Sequence, residues 1–208
     1  SIFADFLLRC VPVEDHPVVL RTMLTETKQT MSMLLATLRW FLPADVRAAW
    51  RDRAVAVISA ALDAAAPGSD KQQRLAVAYA GLAHLPADTD RVLGILDGRG
   101  VPEGLQVHQD LRWSLLAGLS SSGAVDAARL DAEVRRDPSA VGADYALLCR
   151  AALPDPAAKA AAWSAAVDQG GLSNSAMEFV GKGMRRVENL SLLEPYVQRY
   201  HDAIPVMG

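Results

Sequence analysis

The sequence predicts an all-α fold, an irregular α-α superhelix of antiparallel helical hairpins, and three observations predict it. Apolar residues recur at steps of three and four along nearly the whole chain. No stretch alternates apolar and polar residues as a half-buried strand does, and Pro, Gly, Ser and Asp interrupt the periodic segments at short intervals. Connections of a few residues can only reverse the chain, so neighbouring helices run antiparallel. Roughly eleven helices, most with one clear polar face, suit a stack of hairpins better than a closed bundle, in which several helices would be apolar all round. No repeat of fixed period is present, and the 208 residues are expected to form a single domain.

In order along the chain, Phe3, Phe6, Leu7 and Cys10 are already at helical spacing, which gives the expectation of a segment cut from a larger protein. Asp15 precedes a narrow stripe of Leu20, Leu24, Thr27, Met31, Leu34 and Leu38, predicting one long helix that ends before Pro43. A helix turning Val46, Trp50, Val57, Ile58, Ala61 and Leu62 inward follows and stops at Pro67-Gly68. Ser69 and Asp70 offer caps for a helix with Leu75, Tyr79 and Leu82 on its face, closed before Pro86. Asp88 or Thr89 starts a shorter helix through Val92, Leu93 and Leu96. Gly98, Gly100, Gly104 and Pro102 then make residues 98 to 109 the longest irregular connection.

The chain is organised around Asp110 to Leu116. Asp110 is placed to cap a helix that buries Leu111, Leu115, Leu116 and Leu119, with the Arg112 stem along apolar surface and Trp113 against a neighbouring helix. After Gly123 come helices through Leu130 and Val134, through Val141, Tyr145 and Leu148, and, beyond Pro154 and Pro156, an alanine-rich one bearing Trp163 and Val167. Residues 174 to 186 and 190 to 204 complete the chain. Pro195 suits the first turn of a last helix that turns Tyr196, Val197 and Tyr200 inward.

A formal charge of -3 and a pI near 5.8 provide no general attraction to phosphate or anionic lipid, so no nucleic acid is expected as a partner. No apolar run is long enough to span a bilayer and no leader pattern opens the sequence, so no membrane association is expected. Cys10 and Cys149 lie on apolar faces and read as free thiols in a reducing compartment, giving a cytoplasmic expectation.

The search for chemistry returns weak signals. None of His16, His84, His108 and His201 has H-E-x-x-H spacing. His108 reads as a surface imidazole, and the adjacent His201 and Asp202 diverge by about 100 degrees on a helix, as solvated residues do. Leu119-Ser120-Ser121-Ser122-Gly123 lacks the spacing and preceding strand of a nucleophile elbow and reads as a helix end. Gly98-Arg99-Gly100 has no strand before it, and Gly181-Lys182-Gly183 has no Ser or Thr after it, so neither makes a phosphate loop. Asn189-Leu190-Ser191 matches a glycosylation acceptor no better than chance. Asp131 and Glu133 face different ways on a helix and read as a solvated face rather than an acid/base couple. Lys182, Arg185 and Arg186 are the one local excess of charge. Three cations near a helix end can interact with the terminal carbonyls or receive an external carboxylate.

Asp110-Leu111-Arg112-Trp113 with Leu115-Leu116, then Lys159-Ala160-Ala161-Ala162-Trp163, then Leu192-Leu193-Glu194-Pro195-Tyr196-Val197 with Tyr200, resemble the C-terminal helical domain of zinc aminopeptidases of the aminopeptidase N family, especially the bacterial type. Phe6-Leu7-Leu8-Arg9 and Val18-Val19-Leu20 agree with its beginning, so the resemblance covers nearly the whole chain. Met184 departs from it, since an aromatic is expected after Gly183. The resemblance implies an armadillo- or HEAT-like superhelix that closes over a thermolysin-like catalytic domain and walls a chamber admitting peptides. It further implies that zinc, its H-E-x-x-H site and a G-x-M-E-N amine-binding loop belong to upstream domains. Neither motif occurs in this sequence, so residues 1–208 are expected to be noncatalytic, with no metal ligand and no cofactor of their own. The implied partners are the upstream catalytic domain of the same chain and peptide substrates, with Lys182, Arg185 and Arg186 as candidate peptide contacts. The competing reading is a stand-alone helical-repeat module that binds a partner protein on a concave face.

Overall fold

The computed structural model describes residues 1–26, 32–186 and 189–203. Thr27, Met31 and Ile204, assigned above to helices, lie outside them. The described residues are all α-helical in class and contain no strand. They form two compact units, Ser1–Gly118 and Leu119–Gly208.

The first unit contains α1 (Ile2–Val13), α2 (Pro17–Leu24), α3 (Met33–Ala36) running into a π-helical turn at Thr37–Phe41, α4 (Ala44–Ala64), α5 (Asp70–Leu82), α6 (Pro86–Leu96) and α7 (Gln109–Ser122) as far as Gly118. The second contains the end of α7, α8 (Ala127–Arg136), α9 (Ala140–Ala152), α10 (Pro156–Trp163) running into a π-helical turn at Ser164–Asp168, α11 (Asn174–Arg185), a 3-10 turn at Leu190–Leu192 and α12 (Glu194–Ala203).

Short polar side chains start most helices. Ser69 accepts from the Gln72 amide, Asp126 from Arg129, Ser139 from Gly142, Asp155 from Ala157 and Ala158, and Ser173 from Ala176. Cations close many of them at the other end. Lys71 donates to Pro12 O at 2.9 Å, Arg51 to Leu82 O at 2.9 Å, Arg112 to Leu96 O at 2.7 Å, and the Lys159 ammonium to Ala151 O. Each satisfies a carbonyl left without an intrahelical partner, at the negative end of the helix dipole.

Several expectations need correction. The long helix expected from Asp15 onward ends at Leu24, because Thr25 takes an extended backbone (φ -115°, ψ 133°) and Ser32 caps a new start by accepting from the Leu35 amide. On α1 the buried residues are Ala4, Leu7, Leu8 and Val11, one position away from the expected stripe, which leaves Phe3 and Phe6 outside. α6 begins at Pro86, whose missing N–H costs nothing in a first turn, rather than at Asp88 or Thr89. Asp110 is inside the first turn of α7, and His108 precedes the helix, its Nδ1 accepting from the Leu111 amide at 3.4 Å. Val141 is exposed on α9, and Val197 and Tyr200 are exposed on α12. Leu111, Trp113, Leu115, Leu116 and Leu119 of α7 are buried, as expected.

Two close approaches set the helix spacing. A Cβ at Gly118 on α7 would lie 2.9 Å from Gly81 N on α5, and one at Gly183 on α11 would lie 2.7 Å from Ala151 Cβ on α9. Glycine lets these backbones touch where alanine would hold them apart.

Candidate functional site

Lys182, Arg185 and Arg186 sit at the C-terminal end of α11, but they do not share one exposed surface. The Lys182 ammonium is 2.8 Å from Glu178 Oε1, one turn earlier, and 5.3 Å from the ring centre of Phe179, which packs edge-on against Tyr145. Arg185 is exposed, whereas Arg186 follows the helix, is half-buried and donates its N–H to Gly183 O at 3.0 Å. The Arg186 charge lies near enough to Cys149 to favour its thiolate. Burial outweighs that help, that of Arg150 and a hydrogen bond with Ser120, and pushes the thiol up to about 12. Cys149 is therefore an inert core thiol.

The carboxylates of α8 part company. Asp131 is exposed and 2.7 Å from Arg150, whereas Glu133 is buried, with Arg136 Nε at 4.0 Å, correcting its assignment to a solvated face. Ser120 and Ser121 are buried, and the run ends α7 at Gly123 (φ +75°), as expected of a helix end. A contact that sequence spacing did not signal joins His84 Nε2 to Asp52 Oδ1 at 2.9 Å. Thirty-odd residues separate them along the chain, so no local pattern could have reported it.

Two clefts of the first unit differ in character. One, of about 220 Å³, is lined by Asp70, Gln73, Arg74, His108, Asp110 and Ser114. Several of its polar groups are engaged: Arg74 Nε donates to Asp70 at 2.6 Å and its NH1 to Thr25 Oγ1 at 3.2 Å, and Ser114 donates to the backbone Asp110 O at 2.9 Å. The other, of about 370 Å³, is apolar, walled by Pro12, Val57, Ala60, Ala61 and Ala64 with Lys71 beside them. Among the described residues no three His, Cys, Asp or Glu side chains converge to hold a metal, and no helix is long and apolar enough to cross a membrane.

The residues that carried the resemblance turn out to hold the frame. Arg112 and Lys159 close α6 and α9 from buried positions. Burial lowers the Lys159 pKa to about 8, against an opposing pull from Asp155. Trp163 stacks on Tyr196 with ring centres 5.3 Å apart, and the Arg199 guanidinium lies 4.9 Å from the Trp163 ring and 5.5 Å from that of Tyr196. Asp168 ties the group together, accepting from Trp163 Nε1 at 3.1 Å and from Arg199 at 3.2 Å. The Lys159–Trp163 segment and the start of α12 thus meet in one aromatic and ionic cluster.

Two comparisons bear on this arrangement. The family model of the ERAP1-like C-terminal domain matches residues 1–207. Aminopeptidase N of Streptomyces lividans is 38% identical over 143 residues, which make up 69% of this chain and only 17% of that protein.

Proposed function

We infer, because this chain belongs to the family of ERAP1-like C-terminal domains and is the C-terminal domain of an aminopeptidase N family enzyme, that it serves the enzyme without performing its chemistry. In this reading residues 1–208 act as one domain of a cytoplasmic zinc aminopeptidase that removes N-terminal residues from peptides. The domain associates with the catalytic domain of the same chain, caps the active-site chamber and shapes which peptides enter. Zinc would supply water activation from an upstream H-E-x-x-H site. This chain's own residues do not offer that ligand set, so their part is to bound and to position.

The observation that carries the reading is the family match from residue 1 to residue 207. Supporting it, the residues of the resemblance motifs serve as helix caps and packing contacts rather than converging as reacting groups. Purified residues 1–208 are expected to retain no stoichiometric zinc through dialysis and to release no amino acid from a peptide. Reproducible turnover, or zinc that survives dialysis, would overturn the noncatalytic assignment.

A further inference from the structure

We propose that the outer face of α1 is the surface on which the preceding, catalytic part of the same polypeptide docks, an inference that rests on the function proposed above. The inner face of α1 buries Ala4, Leu7, Leu8 and Val11. The opposite side is also apolar: Ile2 is 93% exposed, Phe6 58% and Val13 77%, with Phe3 at 44% on the flank. Ile2, Phe6 and Val13 fall on one stripe of a 3.6-residue helix. Arg9 shares it, with its Nε drawn 2.6 Å to Asp5, which also accepts from Arg53 at 2.5 Å. A helix apolar on both sides is built to be covered on both. At its C-terminal end Pro12 forms a wall of the apolar cleft of about 370 Å³, room for a partner's apolar side chain.

Magnitudes select the occupant. The stripe exposes on the order of 500 Å² of apolar surface, as much as the largest patch on an ordinary monomer. A second copy or a free protein needs about 800 Å² per partner to bind stably, because association costs translational and rotational freedom. A partner on the same chain is already held at an effective concentration near millimolar, so a smaller surface suffices. The match covers 17% of the relative's length, and in the function proposed above the catalytic part belongs to the same polypeptide. Elements adjacent in sequence usually pack side by side.

The test places a photo-cross-linking phenylalanine analogue at position 6 of the full-length chain and, separately, at Val141, which is exposed on α9. Position 6 is expected to join residues upstream of Ser1 within one molecule, with at least tenfold the yield of position 141. Joining to a second molecule, to no residue of the chain, or with equal yield at both positions would overturn the proposal. As a check on folding, Phe6→Glu should lower the thermal inactivation midpoint of the full-length enzyme by several degrees more than Val141→Glu does. Equal shifts would count against the docking face. A reading frame that encodes no upstream H-E-x-x-H domain would defeat the proposed function before any cross-link is made. Such a domain present but unreached from position 6 would defeat the docking face alone.

Discussion

Gly183 lies where α11 meets α9, and a methyl group there would run into Leu148 O and come within 2.7 Å of Ala151 Cβ, whereas at Gly181 it would meet nothing within 4 Å. Opposite signs follow on one helix. Gly183→Ala should cost about 1–3 kcal/mol through overpacking, and Gly181→Ala should gain up to about 1 kcal/mol from helix propensity. Urea melts of the two variants check this, and a gain in both would mean that α9 and α11 do not touch as described. Lys159 sets a second test at this scale. Its pKa falls from 10.5 to about 8 on folding, so between those values the unfolded chain holds the extra proton and stability rises with pH. The charged form thus carries a burial cost below about pH 8 that is relieved as pH climbs toward 10.5, on the order of 3 kcal/mol at most. Relative to wild type, Lys159→Met should therefore lose ground as pH rises from 7 to 10.5. A stability difference that stays flat with pH would show that the ammonium is solvated.

At the scale of helices, ends marked by proline or glycine were legible at Pro43, Pro67, Pro86 and Gly123, whereas several starts and faces were not. A cap acts within four residues, so Ser69 announced its helix from local sequence alone. The break after Leu24 was hidden because the stripe of leucines continues at the right phase on both sides of it, and the buried hydrogen bond from Ser32 Oγ to Met23 O is not a sequence pattern. The face of α1 was misread because nearly every position is apolar, so periodicity could not choose between Leu8 and Phe6. α12 shows the reverse limit. Its aromatic residues suggested an inward face, yet Val197 and Tyr200 are exposed, and the helix is held through Tyr196 and Arg199 against Trp163 and Asp168. Because both Arg199 and Asp168 are solvent-accessible, their pair contributes at most about 1 kcal/mol, and the two ring contacts contribute comparable amounts. Arg199→Ala should therefore speed amide hydrogen exchange across residues 194–203 by roughly ten- to a hundredfold while leaving α9 protected. Unchanged exchange in α12 would show that other contacts hold it.

For the whole molecule, fold class was legible and the candidate site only partly so. Lys182, Arg185 and Arg186 read as one basic cluster because they are close in sequence, but the chain separates them: Glu178 engages Lys182, and Arg186 is half-buried, its charge near enough to act on Cys149. Exposed Arg185 is then the member best placed to meet a ligand, and substituting it spares the core that a change at Arg186 would disturb. A peptide held by its amino end at an upstream zinc site presents its C-terminal carboxylate some distance away, where a cation on the chamber wall can attract it with little regard to sequence. If Arg185 lines that wall in the full-length enzyme, Arg185→Glu should raise KM several-fold for short peptides with a free carboxylate and hardly change it for a small aminoacyl amide. The difference should shrink between 0.05 and 0.5 M salt, since an exposed charge is screened over roughly 10 Å at 0.1 M. Equal responses from the two substrate classes, with an unchanged thermal melt, would place Arg185 outside the chamber.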